Sequence, residues 1–470
     1  MSVDPNAPAP VANAMLGLES SASKATRRSR FPVLLALLFA TAIVASAQFG
    51  LSDPMLARAT MLAGTCLVLW LFEVIPLYAT TLVLWAGMVL LLSPLDPIAF
   101  SLPRVVSTAT NPVMILFFGG FVLSVACAKY GIDAYIAGWM IKASGGRKRV
   151  MLLTVMTVTA VLSMWMLNTA AAAMMLATLK PLFAREHGDR SFRAAMLLGL
   201  AFGANFGGIG TPIGTGPNLI AISAVASRHQ ITFLDWMIFG VPTAIVMLAL
   251  AYLLLLRIYH VSGSMRGVAF PHPALSVRAW CVVAIFFATV TAWLLEPVHH
   301  VPSALIAIAM TAVLFSTRLL DASDLRQIRW DTLLLIAGGL TLGQLFDDSG
   351  LARAVSASVR WNALPTTVLL LGLIAACAVT SAVSSNTAAS AILIPIAMDI
   401  APSATTAVLV ALGASMGAPF VISTPPNALV YGHGGLRPRD FLIPGMILMV
   451  IGCLLLAVVG PPVLRWLGMN

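Results

Sequence analysis

The chain has 470 residues, of which 60% are hydrophobic and only 9% are charged, and its mean hydropathy is +0.96. Soluble proteins carry about 25% charged residues, so this composition excludes an ordinary soluble protein and predicts an all-α protein that crosses a membrane many times. The net charge of +10 comes from short basic runs beside apolar segments. Such runs are typical of cytoplasmic loops, and no nucleic-acid partner is predicted.

Residues 1–30 are rich in Ala, Pro and Ser, end in a basic run and are predicted to form a flexible cytoplasmic tail. An apolar span over residues 31–50 follows and begins a group of scaffold helices over 31–110. A cleaved signal peptide is the alternative, because Ala45-Ser46-Ala47 resembles a cleavage site, although the apolar stretch is long for one. We expect a multi-pass protein of the inner (cytoplasmic) membrane with a cytoplasmic N-terminus.

The first repeat is predicted over residues 111–260. Its segment 150–184 has two apolar arms of about 17 and about 14 residues, each marginal for crossing the membrane. Basic residues flank both ends, which predicts a re-entrant hairpin with Asn168-Thr169 at its tip. The alternative, a single long kinked helix over this segment, is simpler, but it would place one of the two basic flanks on the extracytoplasmic side of the membrane. A helix broken by Gly and Pro is predicted near 211–218.

The second half repeats this order. Scaffold helices over 261–330 precede a second repeat over 331–470, with a hairpin at 365–400 and a broken helix near 423–427. Its hairpin has few basic flanking residues, which indicates that it enters from the opposite side and that the repeats are inverted. The total is about eleven transmembrane helices and two re-entrant hairpins.

Three matched pairs support the repeat. Asn386 lies 218 positions after Asn168, Gly338-Gly339 lies 219 positions after Gly119-Gly120, and Asn427 lies 209 positions after Asn218. Two repeats that meet at polar breaks are typical of secondary transporters.

The polar breaks suit ion binding. Free N–H groups at a restarting helix attract an anion, and free carbonyls with Ser and Asn oxygens suit a hard cation such as Na⁺. The alternative is that small polar residues only hold helices together. Two Asn-Thr breaks and two Thr-x-Pro-Asn breaks in register favour a binding site.

These motifs resemble the divalent anion/sodium symporter family, whose signatures are two Ser-Asn-Thr hairpin tips and two Thr-Pro-Pro-Asn-like breaks. The resemblance covers nearly all of the chain beyond residue 30. It implies secondary transport of di- or tricarboxylates, usually coupled to Na⁺, by a membrane-embedded homodimer with a fixed scaffold and an elevator-type transport domain. We expect C4-dicarboxylates such as succinate, malate or fumarate as substrates.

The resemblance also implies site residues. The dicarboxylate would meet both hairpin tips and both broken helices, at Asn168, Thr169, Thr215, Ser385, Asn386, Thr387, Thr424 and Pro425. One sodium ion would bind at Ser163, Asn168 and the backbone near Gly214. A second would bind at Ser381, Ser384, Asn386 and the backbone near Ser423.

Two residues depart from the family pattern. Leu167 stands at the serine position of the first tip, and Gly216 stands where the second break has Pro425. Because Leu167 removes a hydroxyl beside the first predicted sodium site, a sodium-independent dicarboxylate exchanger remains the main alternative to symport. Citrate, sulfate or another divalent anion remains possible as the substrate.

Other functions fit less well. A sodium/proton antiporter needs titratable groups at mid-membrane, and an intramembrane protease needs a nucleophile and a base, but the polar breaks contain no His, Asp or Glu. Glu73, inside a predicted span, is a candidate proton site or a structural residue. His299-His300 lacks a third metal ligand, and the five cysteines lack metal-ligand spacing.

Overall fold

The structure, a computed structural model, describes residues 43, 51–143, 145–185, 189–226, 229–264, 274–358 and 364–468. These parts of the chain are helical, and the only strand-like pairing within them is an isolated bridge between Arg147 and Ser264. The predicted tail over 1–30 and nearly all of the first predicted span lie outside the described residues.

The helices follow in chain order. They are α1 (Pro54–Leu71), α2 (Leu77–Gly87, continued by a π-helical turn Met88–Leu92), α3 (Leu102–Val106), α4 (Pro112–Lys129), α5 (Ile132–Ala143), α6 (Lys148–Ser163), α7 (Asn168–Arg185), α8 (Arg190–Gly207), α9 (Gly216–Val225), α10 (Phe233–Tyr259), α11 (Val277–Leu294), α12 (Glu296–His299), α13 (Ser303–Ser316), α14 (Trp330–Ser349), α15 (Leu351–Ser358), α16 (Thr366–Val383), α17 (Asn386–Ile400), α18 (Ala404–Met416), α19 (Pro425–Gly432) and α20 (Pro438–Trp466).

The all-α membrane fold is confirmed. Within the described ranges, seven helical segments are long and apolar enough to cross a membrane, and six shorter apolar helices accompany them. The exact count of eleven crossings and the inversion of the repeats stay predictions.

The four predicted breaks fall between helices. Each hairpin is a pair of helices, α6 with α7 and α16 with α17, and each broken helix is a pair, α8 with α9 and α18 with α19. Both broken helices restart with proline in the first turn, where its missing N–H is not needed. The strongest local signals in the sequence, Pro and Asn-Thr at membrane depth, therefore coincide with the ends of the helices.

Small residues bring the hairpins close to the broken helices. A β-carbon built on Gly203 would lie 2.7 Å from the Met156 carbonyl oxygen of α6, and one on Gly413 would lie 2.9 Å from the Ile374 carbonyl oxygen of α16. Met156 and Ile374 are 218 positions apart, so the same close approach occurs in both halves. Such contacts allow polar groups at the hairpin tips to reach the backbone of the broken helices.

An ion pair fixes the base of the first hairpin. Lys148 Nζ donates to Asp189 Oδ2 at 2.7 Å and also lies 4.8 Å from the centre of the Phe192 ring. Asp189 caps α8 by accepting a hydrogen bond from Phe192 N. The hydrogen bond from Lys148, with that from Phe192 N, lowers the pKa of Asp189.

One predicted position was wrong. Glu73 was placed inside a span, but α1 ends at Leu71 and Glu73 lies in the turn before α2, exposed and with φ of +47°. A left-handed residue cannot continue a right-handed helix, and Pro76 stands just before α2 begins. Glu73 therefore lies outside the helix in which the sequence analysis placed it.

Candidate functional site

The tip of the first hairpin contains a compact cluster of oxygens. Ser163 Oγ lies 2.7 Å from Asn168 Oδ1 and 2.7 Å from the carbonyl oxygen of Ala204 on α8. A hydroxyl has one proton, whereas the amide and carbonyl oxygens have none. The Ser163 hydroxyl can donate its single proton to only one of these two oxygens at a time. The three oxygens therefore have more lone pairs than protons, which suits a hard cation.

The second hairpin has the same cluster. Ser381 Oγ lies 2.7 Å from Asn386 Oδ1 and 2.7 Å from the carbonyl oxygen of Ala414 on α18. The serines and the asparagines are each 218 positions from their counterparts. The structure therefore brings Ser163 to Asn168 and Ser381 to Asn386, two pairs that the sequence analysis assigned to the two sodium sites.

The remaining predicted sodium ligands are arranged differently in the two halves. A β-carbon built on Gly208 would lie 2.6 Å from Asn168 Oδ1 and 3.0 Å from the Gly214 carbonyl oxygen, so Gly214 lies close to the first cluster. The Ser384 hydroxyl donates to Thr380 O of its own helix at 2.9 Å, and the Ser423 hydroxyl donates to Ala382 O at 2.7 Å. Ser423 thereby ties the second break to the second hairpin.

An asparagine holds the backbone of each broken helix open. Asn218 Nδ2 donates to the carbonyl oxygens of Gly208 and Thr211, at 2.9 and 2.7 Å. Asn427 Nδ2 donates to those of Ala418 and Phe420, at 3.2 and 2.9 Å. Thr211 O and Phe420 O each also accept one backbone N–H in a turn, and the asparagine amides add hydrogen bonds where the regular helix is interrupted.

Sequence reasoning missed the contact that joins the two halves. Asn205 Nδ2 on α8 donates to Asn427 Oδ1 on α19 at 3.1 Å, and both residues are buried. Ser415 on α18 stands 210 positions after Asn205, but its buried hydroxyl has no hydrogen-bond partner among the described residues. A single asparagine in the apolar second half of α8 was the signal, and no periodicity connects it to a partner 222 positions away.

Several polar groups at the site are free for a ligand. Among the described residues, no hydrogen bond involves the hydroxyls of Thr169, Thr215 and Thr387 or the amide Nδ2 atoms of Asn168 and Asn386. By contrast, Ser385 accepts from Ala388 N at 3.1 Å and Thr424 accepts from Asn427 N at 3.4 Å, so both cap the helices that follow them. Pro425 begins α19.

The Gly216 departure has a steric cause. A β-carbon on Gly216 would overlap the Thr387 side chain, with 2.8 Å to its Cγ2 atom. The second hairpin therefore places Thr387 directly against the start of α9, in space that a larger residue would need. Because Gly216 follows Thr215 directly, this contact places two predicted substrate residues, Thr215 and Thr387, near each other.

The electrostatics of the site come from the backbone. Helices α7, α9, α17 and α19 begin at the breaks, and each helix start carries a partial positive charge. The predicted site residues include no charged side chain. Within the described ranges, no group of three or more His, Cys, Asp or Glu residues could hold a metal ion, so hydroxyl, amide and carbonyl oxygens are the available cation ligands there.

Comparison with known proteins gives consistent matches. Residues 67–412 match the model of the citrate transporter family. An uncharacterized transporter of Haemophilus influenzae is 30% identical over 427 residues, which cover 84% of this chain and 88% of that protein. The sodium-dependent dicarboxylate transporter SdcS of Staphylococcus aureus is 26% identical over 444 residues, with coverage of 83% and 82%.

Two solved structures share the fold. The YdaH transporter of Alcanivorax borkumensis has a TM-score of 0.58 and 16% identity, over 87% of this chain and 98% of that one. MtrF of Neisseria gonorrhoeae has a TM-score of 0.55 and 13% identity, over 91% and 94%. At these identities the similarity concerns the fold alone.

Proposed function

Because the chain belongs to the citrate transporter family and is a multi-pass secondary transporter, not an enzyme, we propose that it carries C4-dicarboxylates such as succinate, malate or fumarate. Its similarity to a sodium-dependent dicarboxylate transporter is consistent with the divalent anion/sodium symporter family. We propose Na⁺ as the coupling ion.

The observation that carries this proposal is the matched pair of oxygen clusters. Ser163 with Asn168 and Ser381 with Asn386 each lie 2.7 Å apart, and each serine also contacts a carbonyl of a broken helix at 2.7 Å. Two such clusters support two sodium sites. Gly214 would complete the first, and Ser384 and Ser423 would complete the second.

The free donors support a substrate site between the tips. The hydroxyls of Thr169, Thr215 and Thr387 and the Nδ2 atoms of Asn168 and Asn386 can donate to carboxylate oxygens. In this proposal Ser385, Thr424 and Pro425 form the rest of the surface. The four helix starts would supply the positive potential, which explains how an anion could bind without a buried lysine or arginine.

Sodium coupling follows from the shared asparagines. Asn168 and Asn386 would each offer Oδ1 to a cation and Nδ2 to the substrate, so that cation binding fixes the amide in the orientation that receives the anion. Reciprocal coupling of this kind makes each ligand strengthen the binding of the other. Transport would proceed by elevator-like movement of the hairpins and broken helices against a scaffold, in a homodimer in the inner membrane.

A sodium-independent exchanger is the second candidate, and Leu167 favours it. The first tip has a leucine where the second has Ser385, so the first cluster has one hydroxyl fewer in its neighbourhood. An exchanger would use the same anion site without the coupling ion.

Uptake of labelled succinate into proteoliposomes distinguishes these functions. We expect uptake into empty vesicles that depends on an inward Na⁺ gradient, and loss of uptake to background in Asn386→Ala, which removes both the cation oxygen and the anion donor. Uptake only into succinate-preloaded vesicles, with or without Na⁺, would establish exchange instead. No movement of any dicarboxylate in either condition would contradict both proposals.

A further inference from the structure

An apolar cavity lies beside the first hairpin, and none of the proposed transport-site residues lines it. It has a volume of about 390 Å³ and is bounded by the end of α4, the start of α5, the tip of the first hairpin and one side of α11. Its walls include Leu123, Ile136, Leu162, Phe286 and Val290. A cavity lined in this way favours an alkyl chain over a polar solute.

The cavity opens toward the surface that faces the membrane. Trp280 and Phe287 line it from α11, and their side chains are 54% and 62% exposed. From Trp280 to Val290, α11 rises about 15 Å, which is roughly half of the hydrocarbon thickness. Arg257, Arg266 and Arg278 stand in the segment from the last turn of α10 to the first turn of α11, and basic residues in such a loop predict that it is cytoplasmic. Trp280 then lies at the end of α11 where aromatic side chains meet the membrane surface. The cavity thus extends from one surface into one leaflet.

A buried carboxylate lines the same cavity. Asp133, at the second position of α5, is only 7% exposed. Its carboxylate accepts a hydrogen bond from Ala134 N at 2.8 Å, and it forms no ion pair with any residue that the structure describes. Desolvation raises the pKa of Asp133, and a cationic partner would oppose that effect. An ammonium placed against the buried carboxylate would stabilise its charged form, and Asp133 lines the cavity where such a group could enter.

We propose that this cavity binds a phospholipid whose headgroup carries a primary ammonium, with the ammonium on Asp133 and one acyl chain along α11. A primary ammonium has three N–H donors for the carboxylate, whereas a quaternary choline has none and an anionic headgroup is repelled. The apolar walls accept any acyl chain, so selectivity among lipids comes from Asp133.

The lipid would contact both the first hairpin, which moves in the proposed mechanism, and α11, which belongs to the predicted scaffold. Trp165 and Met166 line the cavity just before Asn168, and the Trp165 ring lies 5.2 Å from the Phe286 ring of α11. A bound acyl chain would therefore restrain the first hairpin against α11. This consequence for transport rests on the proposed function, whereas the lipid site itself does not.

The site is tested with the full-length purified protein in detergent and a phosphatidylethanolamine that carries a photoactivatable group on its acyl chain. We expect labelling of the α11 peptide that contains Trp280 and Phe287. Unlabelled dioleoyl-phosphatidylethanolamine should compete at least tenfold better than the phosphatidylcholine or phosphatidylglycerol with the same chains. Equal competition by all three lipids would overturn the proposal.

Three variants sharpen the result. Asp133→Asn should remove the preference for phosphatidylethanolamine, and Val283→Trp should reduce labelling by filling the cavity. Asp331→Asn is the matched control, because Asp331 also occupies the second position of its helix but lies outside the cavity. It should label like the unmodified protein. An unchanged preference in Asp133→Asn, with a monodisperse protein, would refute the role of Asp133 whatever the transport assay shows.

Discussion

Leu167 and Ser385 occupy the same position in the two hairpins, but only Ser385 caps the helix that follows. The Ser385 hydroxyl accepts from Ala388 N, whereas Leu167 offers only its carbonyl, which accepts from Ala171 N at 3.0 Å. The N–H of Ala170, the counterpart of Ala388, therefore has no capping side chain at Leu167. The departure from the family pattern affects the helix start as well as the neighbourhood of the first oxygen cluster.

Leu167→Ser should stabilise the protein. A serine cap on Ala170 N is worth about 1 kcal/mol, and we expect a small rise in the melting temperature in detergent. Ser385→Leu is the reciprocal control and should lower the melting temperature by a similar amount. If Leu167→Ser lowers stability, the packing of the leucine side chain outweighs the cap.

The sequence predicted the local parts of the site because their signals are local. Asn168, Asn386 and the two Thr-x-Pro-Asn motifs are predicted to mark where helices stop and restart, and helices begin at or next to these positions in the structure. It did not predict which acceptors the residues find. The contact of Ser163 with Ala204 joins two helices 41 positions apart, and only their packing determines it.

At the scale of helical elements, Asn205 connects the two broken helices. Its side-chain amide donates a hydrogen bond to Asn427, and the Asn427 amide donates to the carbonyl oxygens of Ala418 and Phe420. Asn205 also follows Ala204, whose carbonyl contacts Ser163. A continuous set of hydrogen bonds and backbone thus runs from the first oxygen cluster to the second break.

Asn205→Ala should destabilise the protein by about 1 kcal/mol, because Asn427 Oδ1 loses its donor while it stays buried. We expect a lower melting temperature in detergent and a weaker dependence of succinate uptake on Na⁺ concentration. Ser415→Ala is the matched control, since that buried hydroxyl has no partner among the described residues. It should leave the melting temperature unchanged or raise it slightly. Equal decreases of the melting temperature in the two variants would show that the hydrogen bond from Asn205 to Asn427 does not account for the stability lost in Asn205→Ala.

At the scale of the whole molecule, two glycine pairs lie between neighbouring sets of helices. On α4, a β-carbon at Gly119 would lie 2.5 Å from the Ala307 β-carbon of α13, while one at Gly120 would meet Ile213 at the first break. On α14, Gly338 faces Thr81 of α2, and Gly339 faces Ala391 of α17. In each pair, one glycine packs against a predicted scaffold helix and the other against a hairpin or a break.

The matched glycines were predicted as a repeat from their spacing, but the sequence did not indicate that they face in two directions. Adjacent residues on a helix point about 100° apart, so a Gly-Gly pair permits close approach on two sides of one helix. That property makes α4 and α14 suitable boundaries between a fixed and a moving part. Under the proposed elevator mechanism, one contact of each pair would break during transport and the other would stay.

A disulfide between Gly339→Cys and Ala391→Cys should arrest transport, because it would join α14 to the second hairpin. The β-carbons would be 2.9 Å apart without relaxation, which is shorter than the roughly 3.5–4.5 Å across a disulfide, so the two helices must part slightly to form the bond. The pair is made with Cys281→Ser, which removes the exposed native cysteine among the described residues. Succinate uptake should fall to background on oxidation and return on reduction.

The matched control joins α4 to a predicted scaffold helix, α13. Gly119→Cys with Ala307→Cys has a similar starting separation of 2.5 Å, and so a similar need for the backbones to part. Its oxidation should leave uptake intact, because α4 and α13 would keep their contact in the proposed elevator movement. Loss of uptake only in the Gly339 pair requires that α14 and α17 separate in each cycle, and retained uptake in that pair would contradict the elevator mechanism.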